Sequence, residues 1–459
     1  MSVNERKSRK YVLVPPDGGW GYIIALGVTL NFGTLMGFFN CFGMLFKDLF
    51  LEIDMDSTTV TVFTGVSASS LAISGFIAAP LQKFMSLRQI GLMAAVLFNL
   101  GTFCTIFVKS KLLFIITQGL IQGFGNGLIY NLSLTVLNNY FLKRRLLAFS
   151  ITQTVAAAFC LISPQFVKWS IERYGSQGTL LLVSAISLHN IFGMALMQPV
   201  EWHMKKVEIE RNEMELFLSD GIKPETDLTK PKFDKFDGID KNKTIKTYIS
   251  RVIDFSLMKS FVPTNACIAT AFGSFLEMTF VVLLPQSLYF MDWNENDVAK
   301  GLSLMALGDI LTRIAIILMS SVINKIGSHE TYVAGLFIAF VTRIGMLWTN
   351  NKSMILTFLT IMGISRCTIQ VLVPVVVADT VDNDKFSSAI GILLILYGII
   401  NSVVGPVLGA IRDLTNSYSI AFYVITSCFG VLTISWSIEL IYKKSTRNKI
   451  QILDTSLKP

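Results

Sequence analysis

Gly308-Asp309-Ile310-Leu311-Thr312-Arg313 sets an acid and a base four residues apart inside an apolar run from Val298 to Ile323. As a helix, that run places Asp309 and Arg313 on one face, about 6 Å apart at Cβ. It is also long enough to cross a hydrocarbon core about 30 Å thick. Hydrocarbon tolerates isolated charges poorly, so a pair at mid-depth is by default a functional candidate, with a structural ion pair holding the helix as the alternative, and each residue is the other's expected partner.

The rest of the chain supports the membrane reading. Of 459 residues 52% are hydrophobic and 15% charged, against about 25% charged in a soluble domain. Apolar runs recur at about 22–46, 57–80, 87–108, 112–138, 146–167, 178–200, 261–285, 298–323, 330–349, 353–378, 386–411 and 418–442, with ends uncertain by ~2–4 residues. The expectation is an all-α integral membrane protein of twelve transmembrane helices. Residues 1–21 form a polar N-terminal tail carrying Pro15-Pro16, with no cleavable signal, so the first helix is its own insertion signal. Residues 443–459 form a C-terminal tail. With both tails cytoplasmic, most of the 39 Lys and Arg fall on the cytoplasmic side, as the positive-inside rule requires. The net charge of +8 therefore reports topology and not nucleic-acid binding.

Residues 201–260 interrupt the pattern with equal numbers of acids and bases and few aromatics. Such a segment cannot bury a core. It reads as a largely disordered cytoplasmic linker, with a short amphipathic helix around 207–218, between six-helix bundles at 22–200 and 261–442. The bundles align at nearly one offset: Lys83-Phe84-Met85-Ser86 on Lys325-Ile326-Gly327-Ser328, Pro164 on Pro406, and Glu172 on Asp413. Such register indicates a duplicated six-helix unit.

Two further stretches are distinctive. Pro15-Pro16-Asp17-Gly18-Gly19-Trp20-Gly21-Tyr22 stops any helix and then anchors the first span with an interfacial Trp. Tyr140-Phe141-Leu142-Lys143-Arg144-Arg145-Leu146-Leu147-Ala148 joins the fourth and fifth spans. In order and position both resemble signatures of the monocarboxylate transporter family, a branch of the major facilitator superfamily; Asp17, Gly18, Gly19, Trp20, Gly21, Tyr140, Phe141, Arg144 and Arg145 carry the match. Val373-Pro374 through Asp379, Ser388-Ala389-Ile390-Gly391 and Gly405-Pro406 extend it into the last three spans. The resemblance implies a major facilitator fold and alternating access of a small solute. It also implies a plasma-membrane location and, for several members, an ancillary single-span partner. Downstream of Ala148, where the family's glycines recur, this chain has Ser150, Val155 and Phe159. Gly119, Gly123, Gly125 and Gly127, at about one-turn spacing, allow close helix packing or a hinge.

Candidates for solute contact are polar residues near the middle of spans: Arg313, Asn40, Asn31 and Arg366, with Asp309 and Glu277 as counter-ions or proton acceptors. Arg313 can grip a carboxylate through two parallel hydrogen bonds. The resemblance implies substrate binding for Arg313 and proton coupling for Asp309. It also implies a lysine late in the first helix of proton-coupled members, where this chain has Asn40. Asn cannot supply a positive charge, so standard proton symport is in question. Carriers of aromatic amino acids or other zwitterionic or neutral metabolites become an alternative to monocarboxylate transport. A non-transporting receptor or scaffold is a second alternative. Glu277 and Arg366 are expected to pair across the seventh and tenth helices, and His189 to be a packing residue.

Cys41, Cys104, Cys160, Cys267, Cys367 and Cys428 are not paired by spacing, and no stretch has metal-ligand spacing, a nucleophile beside a base or a phosphate-binding loop. The expectation is therefore a protein without metal, cofactor or enzymatic activity.

Overall fold

A computed structural model describes residues 10–38, 41–55, 57–209, 255–415 and 417–456. Almost all of them are helical. With no water to satisfy backbone groups in a bilayer, a helix that closes its own hydrogen bonds is the available way across. We number the long helices α1 (Trp20–Gly37), α2 (Ser57–Leu81), α3 (Leu87–Cys104), α4 (Lys111–Tyr140), α5 (145–174), α6 (176–195), α7 (Asn265–Phe290), α8 (Glu295–Leu318), α9 (Ser328–Trp348), α10 (Lys352–Thr380), α11 (Phe386–Thr415) and α12 (Tyr418–Ser456).

Among the described residues eleven segments are long and apolar enough to span a bilayer, and one of them, Arg145–Ala195, has 51 residues. At about 1.5 Å per residue that is more than twice the core thickness. It divides at Gly175, whose φ of 69° and ψ of −179° lie in a region that is essentially glycine's alone. The division separates α5 from α6 and yields twelve helices.

The outer surfaces are apolar. Val282, Leu311, Leu318 and Ile364 are exposed, whereas Asn31, Ser133, Thr270 and Glu277 are buried. Large apolar side chains exposed along the helices suit a lipid-facing shell, while the interior combines an apolar core with buried polar groups. The chain forms two compact units: Met1–Ala148, Val155–Ser256 and Val381–Gly391 make one, and Phe149–Thr154, Leu257–Thr380 and Ile392–Pro459 the other.

In the first unit, Gly119, Gly123 and Gly127 of α4 lie against α2, and Gly125 against α3. The ladder serves packing. Phe159 lies over Gly33 of α1, so the small residue missing from α5 is supplied by its neighbour. The first span is shorter than expected: α1 ends at Gly37, and Phe42–Leu45 and Lys47–Glu52 form two short helices. Their Phe42, Phe46 and Phe50 pack with Phe63 and Phe114.

The tails and linker also differ from expectation. Lys10–Val14 (β1) pairs antiparallel with Lys205–Ile209 (β2), from Lys10 opposite Ile209 to Val14 opposite Lys205. Residues 207–209 are thus strand and not the start of an amphipathic helix, because β1 offers them a backbone ladder. The rest of that segment, and the linker over 210–254, lie outside the described residues. At the other end α12 continues past 442 to Ser456.

Candidate functional site

The site in the second unit begins with a glycine contact. Gly308 of α8 faces the Thr360 carbonyl and Gly363 of α10, and a Cβ on Gly363 would strike backbone at Met305, Gly308 and Asp309. Without side chains at this crossing the two backbones touch. The contact lies next to Asp309 and brings α10 against the charged face of α8.

Asp309 and Arg313 pair as their spacing predicts. Arg313 Nε donates to Asp309 Oδ2 at 2.9 Å, and Nη2 donates to Oδ1 at 3.4 Å. Nη2 also donates to Gln370 Oε1 of α10, at 3.1 Å. The Arg313 side chain is 6% exposed and that of Asp309 13%. The pair sits midway along the eighth span when this is followed through a bend at Met319 into Ser320–Ile326. Gln370 was not anticipated. A neutral side chain on a different helix carries no periodic signal linking it to Arg313.

Arg366 lies at the middle of α10, one turn before Gln370 and half-buried. It does not pair with Glu277. That carboxylate instead accepts from Arg343 Nη2 of α9 at 2.6 Å, with side-chain exposures of 2% and 1%. Arg343 is held between Phe280 and Phe429, 4.3 and 4.4 Å from their centroids, and Nη1 donates to the Ala339 carbonyl at 3.0 Å. The expectation for Glu277 is corrected: two in-span arginines were available, and packing of α7 against α9 and α12 selected the one already stacked on aromatic rings.

In the first unit, Asn31 is fully buried and donates from Nδ2 to Ser133 Oγ of α4 at 3.1 Å. Its Oδ1 abuts Gly193 of α6, so the side chain packs where α1, α4 and α6 meet. Asn40 lies outside the described residues. His189 is exposed, with Nδ1 2.8 Å from the Ile186 carbonyl oxygen.

The two signature stretches form one knot. Asp17, at φ 47°, accepts through Oδ1 from the backbone N–H groups of Leu142, Lys143 and Arg144 at 2.8, 3.0 and 3.4 Å. Its own N–H donates to the Tyr140 carbonyl at 3.2 Å. A carboxylate here satisfies the unpaired donors that precede α5 and matches the positive end of the helix dipole. Gly21 leaves room for the Phe141 ring, Gly19 has φ 58°, and Gly18 lies against Tyr22. Trp20 stacks on His203 with centroids 5.0 Å apart, and Tyr140 Oη donates to the Gln198 carbonyl at 3.1 Å. Arg144 reaches the Tyr22 hydroxyl at 3.4 Å, and Arg145 binds both the Phe141 carbonyl and Asn383. These residues build the joint between α1, α4 and α5.

A chain of twelve long helices with an aspartate–arginine pair midway along the eighth has relatives that can be named. Residues 24–352 match the model of the Major Facilitator Superfamily. The chain belongs to that superfamily. It is 24% identical to mouse "Monocarboxylate transporter 6" over 419 residues, covering 89% of this chain and 84% of the relative. It is 25% identical to chicken "Monocarboxylate transporter 4" over 418 residues, covering 89% and 80%. Among solved structures, the human organic anion transporter MFSD10 superposes with a TM-score of 0.63 at 13% identity, covering 92% of this chain and all of the other. This Major Facilitator Superfamily member is a multi-pass membrane protein and a secondary transporter of small molecules rather than an enzyme.

Proposed function

We propose that the protein moves a small monocarboxylate across the plasma membrane by alternating access, with both termini cytoplasmic, Arg313 contacting the carboxylate and Asp309 as its counter-ion. The observation that carries this reading is the Asp309–Arg313 contact itself. A carboxylate already lies along the Nε and Nη2 edge of Arg313, at mid-depth, with Gln370 orienting the same guanidinium. A substrate carboxylate has the same chemistry as Asp309 and can share or displace it. The relatives' names as monocarboxylate transporters support the same class.

The test is uptake of labelled pyruvate, lactate, a ketone-body acid and an aromatic amino acid by proteoliposomes holding the full chain. Carboxylate flux above empty vesicles is expected, with KM raised about 10- to 100-fold by Arg313→Gln, as loss of a hydrogen bond to a charged group entails. No flux of any carboxylate, or transport of the amino acid alone, overturns the assignment.

A further inference from the structure

Near the middle of α7, α8, α9 and α10, the charged side chains among the described residues are Glu277, Asp309, Arg313, Arg343 and Arg366. Four of them form two ion pairs, Asp309 with Arg313 and Glu277 with Arg343. Among the described residues Arg366 has neither a hydrogen-bond nor an ion-pair partner. It therefore carries the one unbalanced positive charge of this set.

Its position on α10 connects it to the candidate site. Arg366 and Gln370 are one turn apart and share a helix face, and Gln370 bonds to Arg313. Gly363, the residue in contact with Asp309, is three residues before Arg366 and also borders that face. Ile364, which is exposed, is two residues away and so about 200° around the helix. Arg366 thus turns away from the outer, lipid-side face of α10 and toward the side occupied by Gln370.

A lone guanidinium at mid-depth is costly without an anion. Building on the monocarboxylate reading, we infer that Arg366 is the residue that anchors the substrate carboxylate, so that one monoanion neutralises the site without protonation of Asp309. The groups facing Asp309 are Arg313 on its own helix and, within electrostatic reach on α10, Cys367. The Glu277–Arg343 pair is closed on itself. Arg313, held by Asp309 and Gln370, positions the second carboxylate oxygen. The carrier then moves one net negative charge per substrate, and its substrate class is the free monocarboxylate anion, not the anion plus a proton.

The experiment uses the full chain in proteoliposomes, with labelled pyruvate as probe and either a clamped potential or a clamped pH difference. The expected result is accumulation driven by an inside-positive potential, and none driven by a pH gradient at zero potential. Arg366→Gln is expected to raise KM about 10- to 100-fold, and Arg366→Lys, which keeps the charge, to recover a measurable part of that loss. Accumulation driven by the pH gradient alone, or a KM for Arg366→Gln within twofold of the parent, overturns the inference while leaving monocarboxylate transport standing. No pyruvate flux in the parent protein overturns both. Equal thermal midpoints of the purified variants separate a substrate contact from a folding defect, and a fall in midpoint that pyruvate does not shift in either variant counts against the anchor.

Discussion

Replacement of the buried Glu277–Arg343 pair is expected to give an outcome opposite to that of breaking it. Glu277→Gln leaves Arg343, 1% exposed, without its counter-charge. Breaking a buried pair from one side costs about 3–5 kcal/mol. The lower end applies here, because the amide oxygen can still accept from Nη2 and the two flanking rings still hold the cation, a contribution of about 1–2 kcal/mol when desolvated. Arg343→Met leaves Glu277 buried among apolar groups and removes both ring contacts, so the upper end applies. The double variant E277Q/R343M removes both charges, and such replacements are often neutral or stabilising. It should be more stable than either single variant. In a unit of about 200 residues a loss of about 3 kcal/mol lowers the thermal midpoint by roughly 6–12 °C. The assay is intrinsic-fluorescence melting of the detergent-purified protein, with KM for pyruvate measured alongside. If the double variant melts below both singles, or if it keeps its midpoint and loses substrate affinity, the pair is not the structural clasp between α7 and α9 described above.

Three other perturbations follow from particular contacts. Asp17→Ala removes the acceptor of three backbone N–H groups and should lower stability by about 2 kcal/mol, whereas Asp17→Asn, which keeps an acceptor and tolerates the left-handed backbone, should lose less; equal melting of the two refutes the capping role. Gly363→Ala places a methyl against backbone at Met305 and Asp309 and should separate α8 from α10, raising KM for substrate; an unchanged KM means the helix crossing does not shape the site. Asp309→Asn keeps an oxygen for Arg313 but cannot titrate, so uptake driven by potential should keep its dependence on external pH; a changed pH profile would identify Asp309 as a proton carrier.

Much of this architecture is readable from sequence because its causes are local. An apolar run long enough to cross hydrocarbon must be helical, since nothing else there satisfies its backbone. The 3.6-residue repeat then puts Asp309 and Arg313 on one face whatever surrounds them. Gly175 could take its turn between α5 and α6 for an equally local reason. Partners distant in sequence were beyond reach. The choice of Arg343 over Arg366 for Glu277 depended on which arginine the packing of α7, α9 and α12 enclosed in aromatic rings. The arrival of Gln370 at Arg313 depended on two glycines letting α8 and α10 touch. The signature stretches were visible as two unusual segments, but that Asp17 caps the backbone at 142–144 became evident only once α1 lay beside the junction of α4 and α5. Sequence by itself determined the membrane helices and the central ion pair, because helix periodicity and the exclusion of water act within a single segment. Tertiary structure alone decided which charges are mutually satisfied and that Arg366 is left over among the described residues, because charge balance is a property of several helices packed together.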